Sequence, residues 1–104
     1  MEAWRRFWLA RSGEREGPHP ADEGEFLFRL RHVMRNFSDH GAGWKSDRGR
    51  VWMRYGRPDD IREGSDRAYG RGYLAWYYFN WDIMFLFEDS IGTGDYRLLE
   101  SRPI

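Results

Sequence analysis

The sequence predicts an α+β fold: N-terminal helices packed on one face of a three-stranded antiparallel meander, two layers in all. Three observations carry that expectation. Apolar residues recur at helical spacing over residues 22–37. Three short aromatic or apolar runs, separated by turn-sized gaps, occupy residues 73–100, and short connections between strands make antiparallel neighbours. The chain has 104 residues, so one domain over 1–104 is expected and a second is not. A sheet with one apolar face and helices with apolar stripes bury both by stacking as two layers.

Each element has its own signals. Residues 2–11 read as a short helix, because Trp4, Phe7 and Trp8 fall at i, i+3 and i+4. Residues 12–20 hold Gly13, Gly17, Pro18 and Pro20 and read as a loop. Asp22 can cap the next helix, with Glu23 and Glu25 in a first turn where the helix dipole favours anions. Phe26, Leu27, Leu30, Val33, Met34 and Phe37 then follow the 3.6-residue period, with Arg29, Arg31 and Arg35 largely off that stripe. The helix ends near Phe37, before the Gly41-Ala42-Gly43 turn.

Residues 46–55 satisfy two patterns. Val51, Met53 and Tyr55 alternate with Arg50, Trp52 and Arg54 as in a strand. The boundaries favour a helix instead: Ser46 as cap, Asp47 in the first turn, Gly56 just past the end and Pro58 beyond. Gly49 weakens such a helix by about 1 kcal/mol relative to Ala. Residues 57–72 read as a polar loop with one turn at Asp59–Arg62. Tyr73–Phe79, Met84–Glu88 and Tyr96–Glu100 read as the three strands. In the first of these, Tyr73, Ala75, Tyr77 and Phe79 share one face and Leu74, Trp76 and Tyr78 the other, so both faces are aromatic.

Composition narrows the function classes. Formal net charge is zero, which disfavours general nucleic-acid binding, since that requires a cationic excess to displace counterions. Lys45 is the sole lysine among the basic residues. Arginine makes planar, bidentate contacts that lysine cannot, although a GC-rich genome produces the same bias. The chain has no cysteine, which rules out disulfides, thiolate nucleophiles and thiolate-held metals. No apolar run approaches the ~20 residues of a transmembrane helix. Met1–Arg6 is charged and lacks the apolar segment of a signal peptide.

One stretch resembles a named signature. Gly43-Trp44-Lys45-Ser46-Asp47-Arg48-Gly49-Arg50-Val51, followed by Tyr55-Gly56-Arg57-Pro58-Asp59, is similar to the motif of the GWxTD domain family. Later blocks match in order: Trp76-Tyr77-Tyr78, Phe85-Leu86-Phe87-Glu88-Asp89 and Gly94-Asp95-Tyr96-Arg97-Leu98. Upstream, Phe7-Trp8, Glu25-Phe26 and Arg31–Phe37 also fit. Ser46 stands where the family has Thr, which preserves a capping hydroxyl, and Arg57 where Pro is common. The resemblance implies no assigned activity. It implies a bacterial envelope or exported setting, which the charged N-terminus does not match. At the level of fold, the element order also resembles small outer-membrane assembly lipoproteins of the SmpA/OmlA type, which act as scaffolds.

The residues supply no complete catalytic set. Paired carboxylates at Asp59-Asp60, and Asp89 with Asp95, are the residue types of turns and caps as well as of acid–base pairs. His19, His32 and His40 have no metal-ligand spacing, and a site from Asp39, His40 and Asp47 lacks further ligands. No cofactor is expected. Asp47, Arg48 and Arg50 beside Trp44 form either a charged site or a capped helix with Trp44 as a lid over the core. The leading expectation is a non-enzymatic interaction or structural module, with a protein partner or self-association. Its aromatic–arginine surface would be drawn from Trp44, Ser46, Asp47, Arg48, Arg50, Tyr55, Asp59 and Trp76. The alternative is a small hydrolase or carbohydrate-active module using Asp47 and Asp59 as its two carboxylates.

Overall fold

The computed structural model describes residues 18–38, 41, 43–66, 70–90 and 92–104. The helix expected over 2–11 lies outside the described residues, as do Asp39 and His40 of the weighed metal site.

Helix α1 spans Glu23–Asn36. It starts as its sequence dictates: the Asp22 carboxylate accepts from the Glu25 backbone N–H at 2.8 Å. Phe26, Leu30 and Val33 form its buried stripe. The ambiguity over 46–55 resolves to helix α2, Asp47–Tyr55. Ser46 caps its start, and Gly56 ends it at φ +83°, a conformation costly for any residue with a Cβ. A 3-10 turn, Gly43–Lys45, lies between the two helices in the chain.

The sheet corrects the expected count. It has four strands, not three, in the order β1-β2-β3-β4, each antiparallel to the next. They span Asp60–Asp66, Arg71–Tyr78, Ile83–Asp89 and Arg97–Pro103. The additional strand is β1, where a polar loop was expected. Its interior residues are all exposed, so no alternation of apolar side chains betrays it. It is a strand because its backbone pairs with β2 along its whole length, from Asp60 opposite Tyr77 to Asp66 opposite Arg71. The β2–β3 connection is the turn Phe79–Trp81, and a register shift interrupts β3–β4 pairing between Leu86 and Phe87.

Of the two aromatic faces of β2, the one that packs on the helices carries Leu74, Trp76 and Tyr78, all buried. Their cross-strand partners Phe87, Phe85 and Ile83 lie on the same face. Ring meets ring through this layer: Trp52 lies 5.7 Å from Trp76, and Trp76 lies 4.9 Å from Phe87, both edge-on. Tyr73, Ala75 and Tyr77 face the other way and are half-buried, while Phe79 is exposed at the turn. No helix among the described residues is long and apolar enough to cross a membrane.

Candidate functional site

The segment Gly43–Val51 sits where α1, α2 and β4 converge, and its residues are tied to all three. The tie begins at Ser38, just past α1. Its hydroxyl donates to the Met34 carbonyl at 2.7 Å and accepts from the Gly43 N–H at 3.0 Å. Gly43 is buried, and a side chain there would overlap the Val33 carbonyl. Ser46 then accepts from Gly49 N–H at 2.9 Å, as a capping hydroxyl does, and donates to the Gly43 carbonyl at 2.7 Å. Gly49 lies against that same carbonyl, so a Cβ at this position would also overlap it. The two motif glycines are therefore close-approach positions. By helix propensity alone Gly49 is a weak point in α2; in the fold it is where α2 meets the Gly43 carbonyl. A glycine on each side of the capping serine is the signal that would have revealed it.

Asp47 reaches out of the helix. Its carboxylate accepts from the Leu98 backbone N–H at 2.7 Å and so pins the start of β4 to the first turn of α2. The Arg48 guanidinium lies 4.8 Å from the centroid of the Phe37 ring and 4.9 Å from that of Tyr96, and donates to the Gly94 carbonyl at 3.3 Å. Gly94 is held in turn by Asp89, whose buried carboxylate accepts from the N–H groups of Thr93 and Gly94 at 3.1 and 2.7 Å. Asp95 pairs with Arg97 at 3.1 Å. A partly open cavity of about 320 Å³ remains here, lined by Phe37, Lys45, Ser46, Asp47, Arg48 and residues Gly94–Arg97. Its charges are mixed: Lys45 and Arg97 stand beside Asp47 and Asp95.

The other end of α2 is closed by Arg29, one of the arginines off the apolar stripe of α1. Arg29 of α1 donates to the carbonyls of Met53 and Arg54 at 3.0 and 3.1 Å and pairs with Glu25 at 2.7 Å. It thereby places a cation where the helix dipole is negative. The Tyr78 hydroxyl donates to the Gly56 carbonyl at 2.8 Å, and burial raises its pKa well above the usual phenol value despite the opposing charge of Arg29. His32 lies flat on Trp52, with ring centroids 3.8 Å apart. Burial, and secondarily the charge of Arg57, lowers its pKa.

The expected surface residues fall into separate places. Trp44 is half-buried against the core cluster, with the Lys45 ammonium 5.1 Å from its ring centroid. Arg50 is exposed on the outer side of α2. Tyr55 is half-buried and packs on Tyr78 and Phe85 at 5.0 Å from each. Trp76 is 2 % exposed and belongs to the core, so it presents no surface. Asp59 accepts from the Phe79 N–H at 2.8 Å. Asp47 opens α2 and Asp59 follows its other end, with a helix about 12 Å long at 1.5 Å per residue between them, and each carboxylate is engaged by a backbone N–H. Among the described residues no cluster of three His, Asp or Glu side chains could hold a metal ion.

No curated protein and no solved structure matches the chain. A family model described as the GWxTD domain matches residues 2–102. With the signature serving as the joint between two helices and the last strand, and the match covering nearly the whole chain, this protein belongs to the GWxTD domain family.

Proposed function

We propose that this domain is a non-enzymatic module that binds an acidic protein partner through the outer side of α2. The observation that carries this reading is a local charge excess in a neutral chain. From Arg48 to Pro58 there are four arginines and no Asp or Glu. Arg48 is committed to the Phe37 and Tyr96 rings. Arg50 and Arg54 stand one helical turn apart, and Arg57 follows the helix, exposed. Among the described residues none of these three pairs with a carboxylate. The Tyr55 ring, 5.9 Å from the Arg54 guanidinium, gives the stripe an apolar component. Arginine and aromatic side chains together are the residue types over-represented in protein interfaces, and a one-signed stripe steers an oppositely charged partner.

The test compares wild type with the Arg50→Glu, Arg57→Glu double variant. Both positions are exposed, so the fold is expected to survive, which circular dichroism checks. Crosslinking capture from source cells should recover, with wild type, a partner whose recovery falls as salt rises, and the variant should lose it. Equal capture by a folded variant, or capture indifferent to salt, overturns the reading.

A further inference from the structure

The sheet has two edges, and they differ. On β4 the edge is guarded. The Asp47 carboxylate takes the Leu98 N–H, a register shift interrupts the pairing to β3, and the strand ends on Pro103, which has no N–H to offer. On β1 the edge is open. The strand runs seven residues without proline, and its register with β2 is unbroken from Asp60 to Asp66. Ile61–Ser65 are all exposed, and among the described residues β2 is its only strand neighbour. Alternate N–H and C=O groups of such an edge point outward, and another extended backbone satisfies them in register.

The space beside β1 adds a second feature. Ile61 and Glu63 stand opposite Trp76 and Leu74 in the antiparallel register, so they project from the helix-covered face of the sheet. Yet Ile61 is 48 % exposed, and Glu63 is exposed too. The helical layer covers β2 and stops short of β1. What remains over Ile61 and Glu63 is an open groove of about 390 Å³, bordered by Leu74, by Trp52 of α2, and by His32 and Asn36 of α1. Glu63 pairs with no cation among the described residues. Arg48, the guanidinium in the same lining, is committed to the Phe37 and Tyr96 rings. Along β1 as a whole, three carboxylates stand against one guanidinium, that of Arg62, which pairs with Asp60 at 3.1 Å.

We propose that β1 is the docking edge for an extended, basic segment of a partner protein, added to the sheet as an antiparallel fifth strand. Antiparallel addition continues the existing sheet and is the more stable pairing per residue. In that register a Lys or Arg of the segment lies opposite Glu63. Two positions later a large apolar residue lies opposite Ile61. Both point to the groove side, because side chains alternate with a period of two. Main-chain bonds then hold the segment, and the carboxylate and the groove select it, as in other strand-addition complexes. A second copy of this chain is the wrong occupant. Full-length antiparallel pairing of two β1 strands sets Asp60 against Asp66 and Glu63 against Glu63, with like charges opposed. The site uses none of Arg50, Arg54 or Arg57, and its test does not depend on the partner proposed above.

The experiment is a titration of the ¹⁵N-labelled domain, followed through its backbone amide resonances. The probe is the capped peptide Thr-Thr-Lys-Thr-Phe-Thr-Thr, which sets Lys opposite Glu63 and Phe opposite Ile61. The probe should move the β1 amides saturably and slow their hydrogen exchange. The same peptide with Glu in place of Lys should bind about fivefold more weakly, the scale of reversing one cross-strand charge pair. Glu63→Lys, a change at an exposed position, should invert that preference. N-methylation at alternate peptide residues gives two isomers, one lacking the N–H groups that face β1 and one lacking those that face away. The first should lose binding and the second keep it. No saturable shift in β1, an equal effect of the two N-methyl patterns, or an unchanged preference in folded Glu63→Lys overturns the proposal. Concentration-dependent broadening of the same amides without peptide would make a second copy the occupant, which also overturns it.

Discussion

Replacing Gly49 by alanine reverses the usual sign of a glycine-to-alanine change in a helix. In an unhindered helix interior, alanine is favoured by about 1 kcal/mol because glycine loses more backbone freedom. At Gly49 the new methyl overlaps the Gly43 carbonyl oxygen and would sit 2.9 Å from the Gly43 carbonyl carbon and 2.9 Å from Ser46 Oγ. Backbone cannot swing aside as a side-chain tip does, so the 3-10 turn must move away from α2. Overpacking of this kind costs about 1–3 kcal/mol. The movement also strains the Ser46 hydroxyl, which bonds both Gly49 and Gly43, and loss of such a cap costs about 1 kcal/mol. Net of the helix-propensity gain, Gly49→Ala should destabilise by about 2 kcal/mol, or lower Tm by roughly 8–16 °C. Gly24→Ala is the matched control. Its methyl meets only Asp22 Oδ1 at 3.4 Å, an ordinary contact, so the change should stabilise by about 0.5 kcal/mol. Urea unfolding followed by tryptophan fluorescence measures both. A Gly49→Ala protein as stable as wild type would refute the close-approach account of the signature.

Two further outcomes are expected. Asp47→Ala removes the acceptor for Leu98 N–H, so hydrogen exchange at Leu98 should accelerate and stability fall by about 1 kcal/mol, with Asp47→Asn recovering most of both; unchanged exchange at Leu98 would show that the carboxylate does not hold β4. His32 has a pKa depressed below its ordinary 6.5, so the unfolded chain binds its proton more readily. Its contribution is intact above that value and is lost as pH falls from there through the folded value. Urea midpoints should therefore drop between pH 7 and pH 5 more steeply in wild type than in His32→Gln, and equal slopes would contradict the assignment.

Helix α1 was legible because its apolar stripe, acidic first turn and Asp22 cap all agree, and the structure places each of them where the pattern did. Helix α2 was legible from its ends, since Ser46 and Gly56 state where it starts and stops even though Val51–Tyr55 also alternate. Strand β1 was not legible. Periodicity reports burial, and Ile61 is the only large apolar side chain in a strand whose backbone pairs along its whole length. Trp76 was misplaced for a related reason: both faces of β2 are aromatic, and only the position of the helices decides which is core. At the signature, the cap was readable because a side chain makes it. The contacts of Gly43 and Gly49 were not, because what matters there is the absence of a side chain against a backbone distant in local geometry. The role of Arg29 in closing α2 joins residues 24 and 25 positions apart, beyond the reach of any local pattern.

The bond from Asp47 to Leu98 spans 51 residues, and it sets an order of events during synthesis. Helices form on a microsecond scale, so α2 can coil as soon as it clears the ribosome. Its first-turn carboxylate then has no Leu98 amide to accept from until the chain has grown by those 51 residues, which at 5–20 residues per second takes roughly 3–10 s. In the last part of that interval, once β3 has been made, β3 is also an unpaired edge, since its outer neighbour β4 follows it in the chain. One late step therefore closes the sheet and completes the first turn of α2 together, and a ribosome stalled before codon 98 holds a chain with both left open.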